Sequence, residues 1–136
     1  MATLIDTSAL YILLDEDSPN HPTAIQIFGS LRKRGQGLVV HSYALSETIA
    51  LLQRRFGMEA VRRLVDVILP VIDVTWVDRE LHGRAVGAML ASGRRTVSLV
   101  DHVSFIVMRD RQVRTAFAFD RDFADQGFEV LGGLTA

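Results

Sequence analysis

Thr3-Leu-Ile-Asp-Thr-Ser-Ala-Leu10 joins a short apolar run to an amphipathic stretch, with an acid, Asp6, at the junction. Residues 3–6 read as a strand and residues 8–17 as a helix that stops in the polar segment Asp17-Ser-Pro-Asn20. The same alternation recurs along the chain. Short apolar runs followed by helical patterns make parallel strands with crossover helices, so the expected fold class is α/β with a parallel sheet.

Working outward, a second helix is expected from Pro22 to Arg34, stopped by Gly35 and Gly37. Residues 38–41 form the next strand, and Ser42 is placed to cap a helix reaching Phe56, closed by Gly57. A helix over residues 58–69 precedes Pro70, and residues 71–77 alternate as a strand. Asp78 can cap a helix to Ser92, and Ser98 begins the most apolar helix, over residues 99–110. Residues 115–119 read as strand, 120–126 as a short helical turn, and 128–131 as the last strand. With no repeat, low-complexity tract or linker, residues 1–136 are expected to be a single domain.

The 136 residues are 49% hydrophobic, which suits a packed globular core and argues against disorder. With zero cysteines, disulfides, thiolate zinc sites and thiol catalysis are excluded. The start, Met1-Ala-Thr-Leu-Ile-Asp6, lacks the basic leader of a signal peptide, and no apolar run approaches the ~20 residues of a membrane span. A cytoplasmic location is therefore expected. Net charge is only -1, yet fourteen of the fifteen basic residues are Arg, with Lys33 the single Lys. Arg gives planar, bidentate phosphate recognition, which fits a nucleic-acid partner; a GC-rich genome gives the same bias.

Most of the sixteen acids sit where water would reach them. Asp15, Glu16 and Asp17 form a polar run, Glu59 and Asp66 share a helix with Arg62 and Arg63, and Asp73 can point outward from its strand. Four acids are out of place. Asp6 and Asp120 end apolar strands, and Asp101 lies in Val97-Ser-Leu-Val-Asp-His-Val-Ser-Phe-Ile-Val-Met108. Glu47 has Tyr43, Ala44, Ala50 and Leu51 three and four positions away, a face on which a carboxylate is not expected to be fully solvated. Burying several carboxylates together is strongly unfavourable unless a cation joins them. No Lys lies nearby, so an oxygen-liganded Mg²⁺ or Mn²⁺ is the natural partner. Each acid except Glu47 also has a capping role open to it: Asp6 and Asp120 at helix starts, and Asp101 in the box Ser98-Leu-Val-Asp101.

At these residues the chain resembles the PIN-domain family, and within it the VapC-like toxins of toxin–antitoxin pairs. Leu4-Ile-Asp-Thr-Ser-Ala-Leu10, Tyr43-Ala-Leu-Ser-Glu-Thr-Ile49, Ser98-Leu-Val-Asp-His-Val-Ser-Phe105 and Ala118-Phe-Asp-Arg-Asp-Phe123 are similar to the family's four motifs, in order. The resemblance implies a three-layer α/β/α fold with a central, mainly parallel sheet of about five strands. It implies a Mg²⁺- or Mn²⁺-dependent endoribonuclease in which Asp6, Glu47 and Asp101 hold the metal and Asp120 ligates a second ion or positions water. The last motif holds two acids; Asp120 is taken as the ligand and Asp122 as accessory. Ser8 and Ser104 are further accessory candidates, and Arg94 and Arg95 candidate RNA contacts. An antitoxin that masks the site and a homodimer are implied partners, and the apolar helical surface of residues 44–56 and 61–69 suits both.

Rival readings are a non-toxin RNA-processing nuclease of the same fold and a catalytically inactive PIN-like binding module. Receiver domains need a Lys after a late strand, and dehalogenase-like phosphatases need Asp-x-Asp where this chain has Asp6-Thr-Ser8. His21, His41, His82 and His102 show no metal-ligand spacing and read as structural or surface groups. Trp76 and Tyr43 are expected to pack in the core.

Overall fold

The computed structural model describes residues 1–133, so the last three residues of the expected domain lie outside it. In chain order the elements are β1 (Ala2–Ile5), α1 (Thr7–Leu14), α2 (His21–Lys33), β2 (Gly37–His41), α3 (Ser42–Phe56) and α4 (Met58–Arg63). There follow β3 (Asp73–Thr75), α5 (Arg79–Ser92), α6 (Leu99–Arg111), β4 (Thr115–Phe117), α7 (Asp122–Asp125) and β5 (Glu129–Leu131). The strand order is β3-β2-β1-β4-β5, and every pairing is parallel, so the sheet is wholly rather than mainly parallel.

Both faces of this sheet are covered, which explains why its strands are continuously apolar. Alternate residues serve opposite layers. Ile5, Val40 and Phe117 pack with Leu10 and Leu13 of α1, Leu31 of α2, Leu52 of α3 and Leu64 of the turn after α4. Leu4, Val39 and Ala116 pack with Ala85, Phe105, Met108 and Phe123 from α5 to α7. Phe105 and Phe123 meet edge to face at 5.3 Å, holding the β4–α7 segment against α6. Burial of each such ring stabilises the fold by roughly 1.5–3 kcal/mol.

Three local expectations change. The helix expected over 58–69 is α-helical only to Arg63; Leu64–Ile68 is a π turn and Leu69–Val71 a 3₁₀ turn. Pro70 has no N–H to give the carbonyl four residues back, and its ring crowds that position, so the helix cannot continue in α form. The strand after it is shorter than expected. At α3 the cap is His41, whose Nδ1 accepts from Ala44 N at 3.2 Å, rather than Ser42. Ser42 instead accepts from Val77 N at 2.9 Å, tying the end of β2 to the chain beyond β3.

Candidate metal centre

The chain moves outward from β1 to β2 and β3, then returns across β1 to β4 and β5. β1 and β4 are therefore neighbours from which the chain leaves in opposite directions. In open parallel sheets such a switch point leaves a crevice beyond the strand ends, where ligands bind. Asp6 follows β1 there, and its N–H extends the ladder by donating to Phe117 O at 3.0 Å. Asp120 lies three residues beyond β4, and α6 brings Asp101 to the same crevice from the layer below. Single ligand oxygens of Asp6, Asp101 and Asp120 all lie within 4.8 Å of one another.

All three acids cap local structure as well. Asp6 Oδ2 accepts from Ser8 N at 3.2 Å and Ser8 Oγ at 2.7 Å, starting α1. Asp101 Oδ2 accepts from Ser98 N at 3.1 Å while Ser98 Oγ accepts from Asp101 N at 3.2 Å, a reciprocal capping box on α6. Asp120 Oδ1 accepts from Asp122 N at 3.0 Å, just ahead of α7. The capping reading and the site reading are thus compatible: one oxygen orients each carboxylate and the other remains available.

Electrostatics set these acids apart. Asp6 is 3% exposed, and its carboxyl is pushed up to about 8 by burial first and then by the Asp120 and Asp101 charges, against the lowering pull of Ser8. Asp101 is pushed up to about 6 by burial, with Asp120 adding and the Ser98 N–H opposing. Asp122 is raised by burial and Asp120, and Arg94 is the cation that opposes this. The ion pairs among the described residues join Arg62 to Glu59, Arg63 to Glu16, Arg84 to Asp110 and Arg111 to Asp73, and none reaches the cluster. Hard oxygen donors crowded together without a basic partner fit a divalent cation that prefers oxygen, and the absence of sulfur or imidazole in the group disfavours soft metals.

Glu47 stands apart from this trio and is exposed. The buried face of α3 is Ala44, Leu45, Thr48 and Leu52, so Glu47 lies on its flank, and its neighbour Ala50 is itself exposed. Ser104 bonds to His41 and the backbone: it is fully buried and its Oγ meets His41 Nε2 at 2.8 Å and Val100 O at 3.2 Å. Ser8 is drawn in more firmly than expected, because its Oγ also accepts from Phe119 N at 2.9 Å. Arg94 and Arg95 are exposed in the turn before α6. Trp76 is 74% exposed, not core, and half-buried Tyr43 bonds His82 Nδ1 through its hydroxyl at 2.6 Å.

Sequence reasoning missed His41. It is completely buried, its imidazole held down to about 4 by burial, and a lone polar residue ending the apolar run Leu38-Val-Val-His41 was the available signal. A cleft of about 630 Å³ opens at the other end of the sheet, between Gly37, Val39, Pro70, Asp73, Arg111 and Val113. It holds one ion pair, Arg111–Asp73, and no cluster of acids.

Residues 3–129 match the PIN domain family. This chain is a PIN-domain protein. Its sequence is similar to the 23S rRNA-specific endonuclease VapC20 of Mycobacterium tuberculosis, with 32% identity over 125 residues, 91% of this chain and 93% of the relative. The crystal structure of that VapC20, described as a sarcin–ricin loop cleaving toxin, superposes with a TM-score of 0.81 at 29% identity, covering 93% of this chain and 96% of the other. FitAcB from Neisseria gonorrhoeae shares the fold at 15% identity, with a TM-score of 0.69 over 95% and 96% of the two chains. VapBC2 from Rickettsia felis does so at 10%, with a TM-score of 0.65 over 96% and 97%. The PIN-like fold expected from the four motifs is the fold observed. No helix among the described residues is long and apolar enough to cross a membrane.

Proposed function

We propose that this PIN domain is a Mg²⁺- or Mn²⁺-dependent endoribonuclease and the toxin of a VapBC-type pair acting on cytoplasmic RNA. The observation that carries the reading is the convergence of Asp6, Asp101 and Asp120 within 4.8 Å, with no ion pair to them among the described residues. A structured loop of 23S rRNA is the substrate class favoured by the VapC20 similarity.

Asp6, Asp101 and Asp120 would hold the metal, with Glu47 completing the acidic set from the flank of α3. A divalent ion bound there would lower the pKa of a water molecule and offset negative charge on the phosphate. The chain's own contribution is orientation. Ser8, Ser98 and the Asp122 N–H each fix one carboxylate oxygen, so the acids do not rotate away from one another. Asp122 adds negative charge beside Asp120, and Arg94, the cation felt at Asp122, is placed to meet a substrate phosphate, with Arg95 next to it. Exposed Phe56, Met58, Val65 and Val67, around the end of α3 and the π turn, supply apolar surface for an antitoxin segment or a second copy of the chain.

The test is cleavage of end-labelled RNA carrying the sarcin–ricin loop, with Mg²⁺ or Mn²⁺, by protein freed of any partner. Cleavage is expected to disappear with EDTA and in Asp6→Asn and Asp101→Asn. Intact RNA under every metal condition, for this loop and for total rRNA and tRNA, would overturn the nuclease reading.

A further inference from the structure

Beneath the acidic cluster runs a chain of buried polar groups that the proposed chemistry does not itself use. Thr7, the residue after Asp6, donates through Oγ1 to Ala44 O at 3.3 Å. Thr48 Oγ1 donates to the same carbonyl at 2.7 Å. On the other side of that residue, Ala44 N donates to His41 Nδ1 at 3.2 Å. His41 Nε2 lies 2.8 Å from Ser104 Oγ and 3.2 Å from Val100 O, and Ser104 Oγ donates to Val100 O at 3.2 Å. Val100 immediately precedes Asp101.

The hydrogen-bond chemistry leaves one direction for the imidazole. A backbone N–H can only donate, so Nδ1 must accept, and the ring proton sits on Nε2. Nε2–H then donates to Ser104 Oγ, whose own proton goes to the Val100 carbonyl. Every side chain in this chain is buried: His41, Thr48 and Ser104 are 0% exposed and Thr7 is 7% exposed. A broken link would therefore leave a buried polar group unsatisfied.

We propose that this Thr7–Ala44–His41–Ser104–Val100 chain is a positioning device that sets the spacing of Asp6 and Asp101 and so prepares the site for its cation. It ties the residue after one acid to the residue before the other, across α1, α3, β2 and α6. The two carboxylates repel each other when charged, so their close approach has to be imposed by something beneath them. Groups behind metal ligands commonly matter in this way, and losing one lowers metal affinity by about 10–100-fold. His41 and Ser104 touch neither metal nor RNA in this account; they act through α6. The proposal rests on the metal-site reading above, and its test separates the two.

The measurement is Mn²⁺ binding by titration calorimetry to the full chain, alongside thermal melting in EDTA. Ser104→Ala removes the α6 link, and Thr7→Val removes the other end at nearly constant volume. Each is expected to weaken Mn²⁺ binding by about ten-fold or more, while Thr7→Ser, which keeps the hydroxyl, binds like wild type. Ile68→Val, a core truncation outside the chain, is expected to lower the melting temperature without changing Mn²⁺ affinity. Should Ser104→Ala fail to fold, Thr7→Val against Thr7→Ser decides alone. Wild-type Mn²⁺ affinity in both variants would overturn the positioning role and leave the metal site standing. No Mn²⁺ binding by the wild type would overturn the metal reading itself. Nitrogen-15 NMR of His41 should find the proton on Nε2, and a proton on Nδ1 would break the chain as drawn.

Discussion

Ser8 Oγ donates to Asp6 Oδ2 at 2.7 Å and accepts from the backbone N of Phe119 at 2.9 Å, 111 residues further along the chain. One hydroxyl thus joins the end of β1 to the segment that carries Asp120. It orients the Asp6 carboxylate and fixes the distance between two of the three clustered acids. Replacing Ser8 by Ala removes both of these hydrogen bonds. We expect a loss of about 1–3 kcal/mol in urea denaturation and a fall in RNA cleavage. Wild-type stability and cleavage in Ser8→Ala would show the bridge to be incidental.

Asp6 makes metal-free stability depend on pH. Its folded-state pKa, about 8, lies above the ordinary 3.8, so the folded form favours the protonated acid. That contribution is complete below the ordinary value and is lost as pH rises toward about 8. His41 has the opposite sign: lowered from 6.5 to about 4, it withdraws stability only as pH falls below 6.5. Above 6.5 the Asp6 slope therefore stands clear of it. In EDTA the denaturation midpoint should fall between pH 6.5 and about 8, and Mn²⁺ should flatten that fall. A flat EDTA profile in this window would mean that Asp6 titrates as an ordinary acid.

Asp101→Asn tests charge separately from shape. Asn retains a side-chain oxygen for the Ser98 N–H, so the capping box of α6 can persist, while one of three mutually repelling charges is gone. The metal-free variant is expected to be at least as stable as wild type near pH 8 and to have lost Mn²⁺ binding and cleavage. A variant that is less stable yet still binds Mn²⁺ would make Asp101 a helix cap and nothing more.

Glu47→Gln should leave stability within about 0.5 kcal/mol of wild type, because the side chain is exposed and has no ion pair among the described residues. Cleavage should nevertheless fall, since the proposed function counts Glu47 among the acids that serve the metal. Full activity in this variant would reduce the set to Asp6, Asp101 and Asp120.

Gly132→Ala acts on the site from behind. Gly132 has φ +120, and a Cβ there would collide with the carbonyl oxygen of Ala118, two residues before Asp120. Either the last strand moves away or the Asp120 segment is displaced. The expected destabilisation is about 1–3 kcal/mol, with weaker Mn²⁺ binding. Thermal melting and calorimetry of this variant would show whether both change.

Much of this architecture is written in local pattern. Leu4-Ile5, Val39-Val40 and Ala116-Phe117 are paired apolar residues because each strand is covered on both faces, and that continuous hydrophobicity announces a parallel sheet. Asp6, Asp101 and Asp120 were legible as acids at apolar junctions. Glu47 was misjudged on one point: its helical neighbours are apolar, but Tyr43 and Leu51 are only half-buried and Ala50 is exposed, so the carboxylate meets solvent. Trp76 was misjudged for the same reason, since an apolar side chain carries no mark of whether another element will cover it. Pro70 signalled the end of a helix, but not the π and 3₁₀ turns by which α4 gives way.

Sequence by itself determined the strands, the helices and the identity of the acids, because strand and helix periodicity, caps and breakers act over a few residues. Only the tertiary structure decided that Asp120, rather than Asp122, joins Asp6 and Asp101. It also decided that Ser104 faces His41 and that the bonds of Ser8 and His41 span the domain. Those facts depend on which strand ends become neighbours at the switch between β1 and β4, and on the angle at which α6 crosses beneath them. Both are set by packing among residues far apart in the chain, where no local pattern reaches.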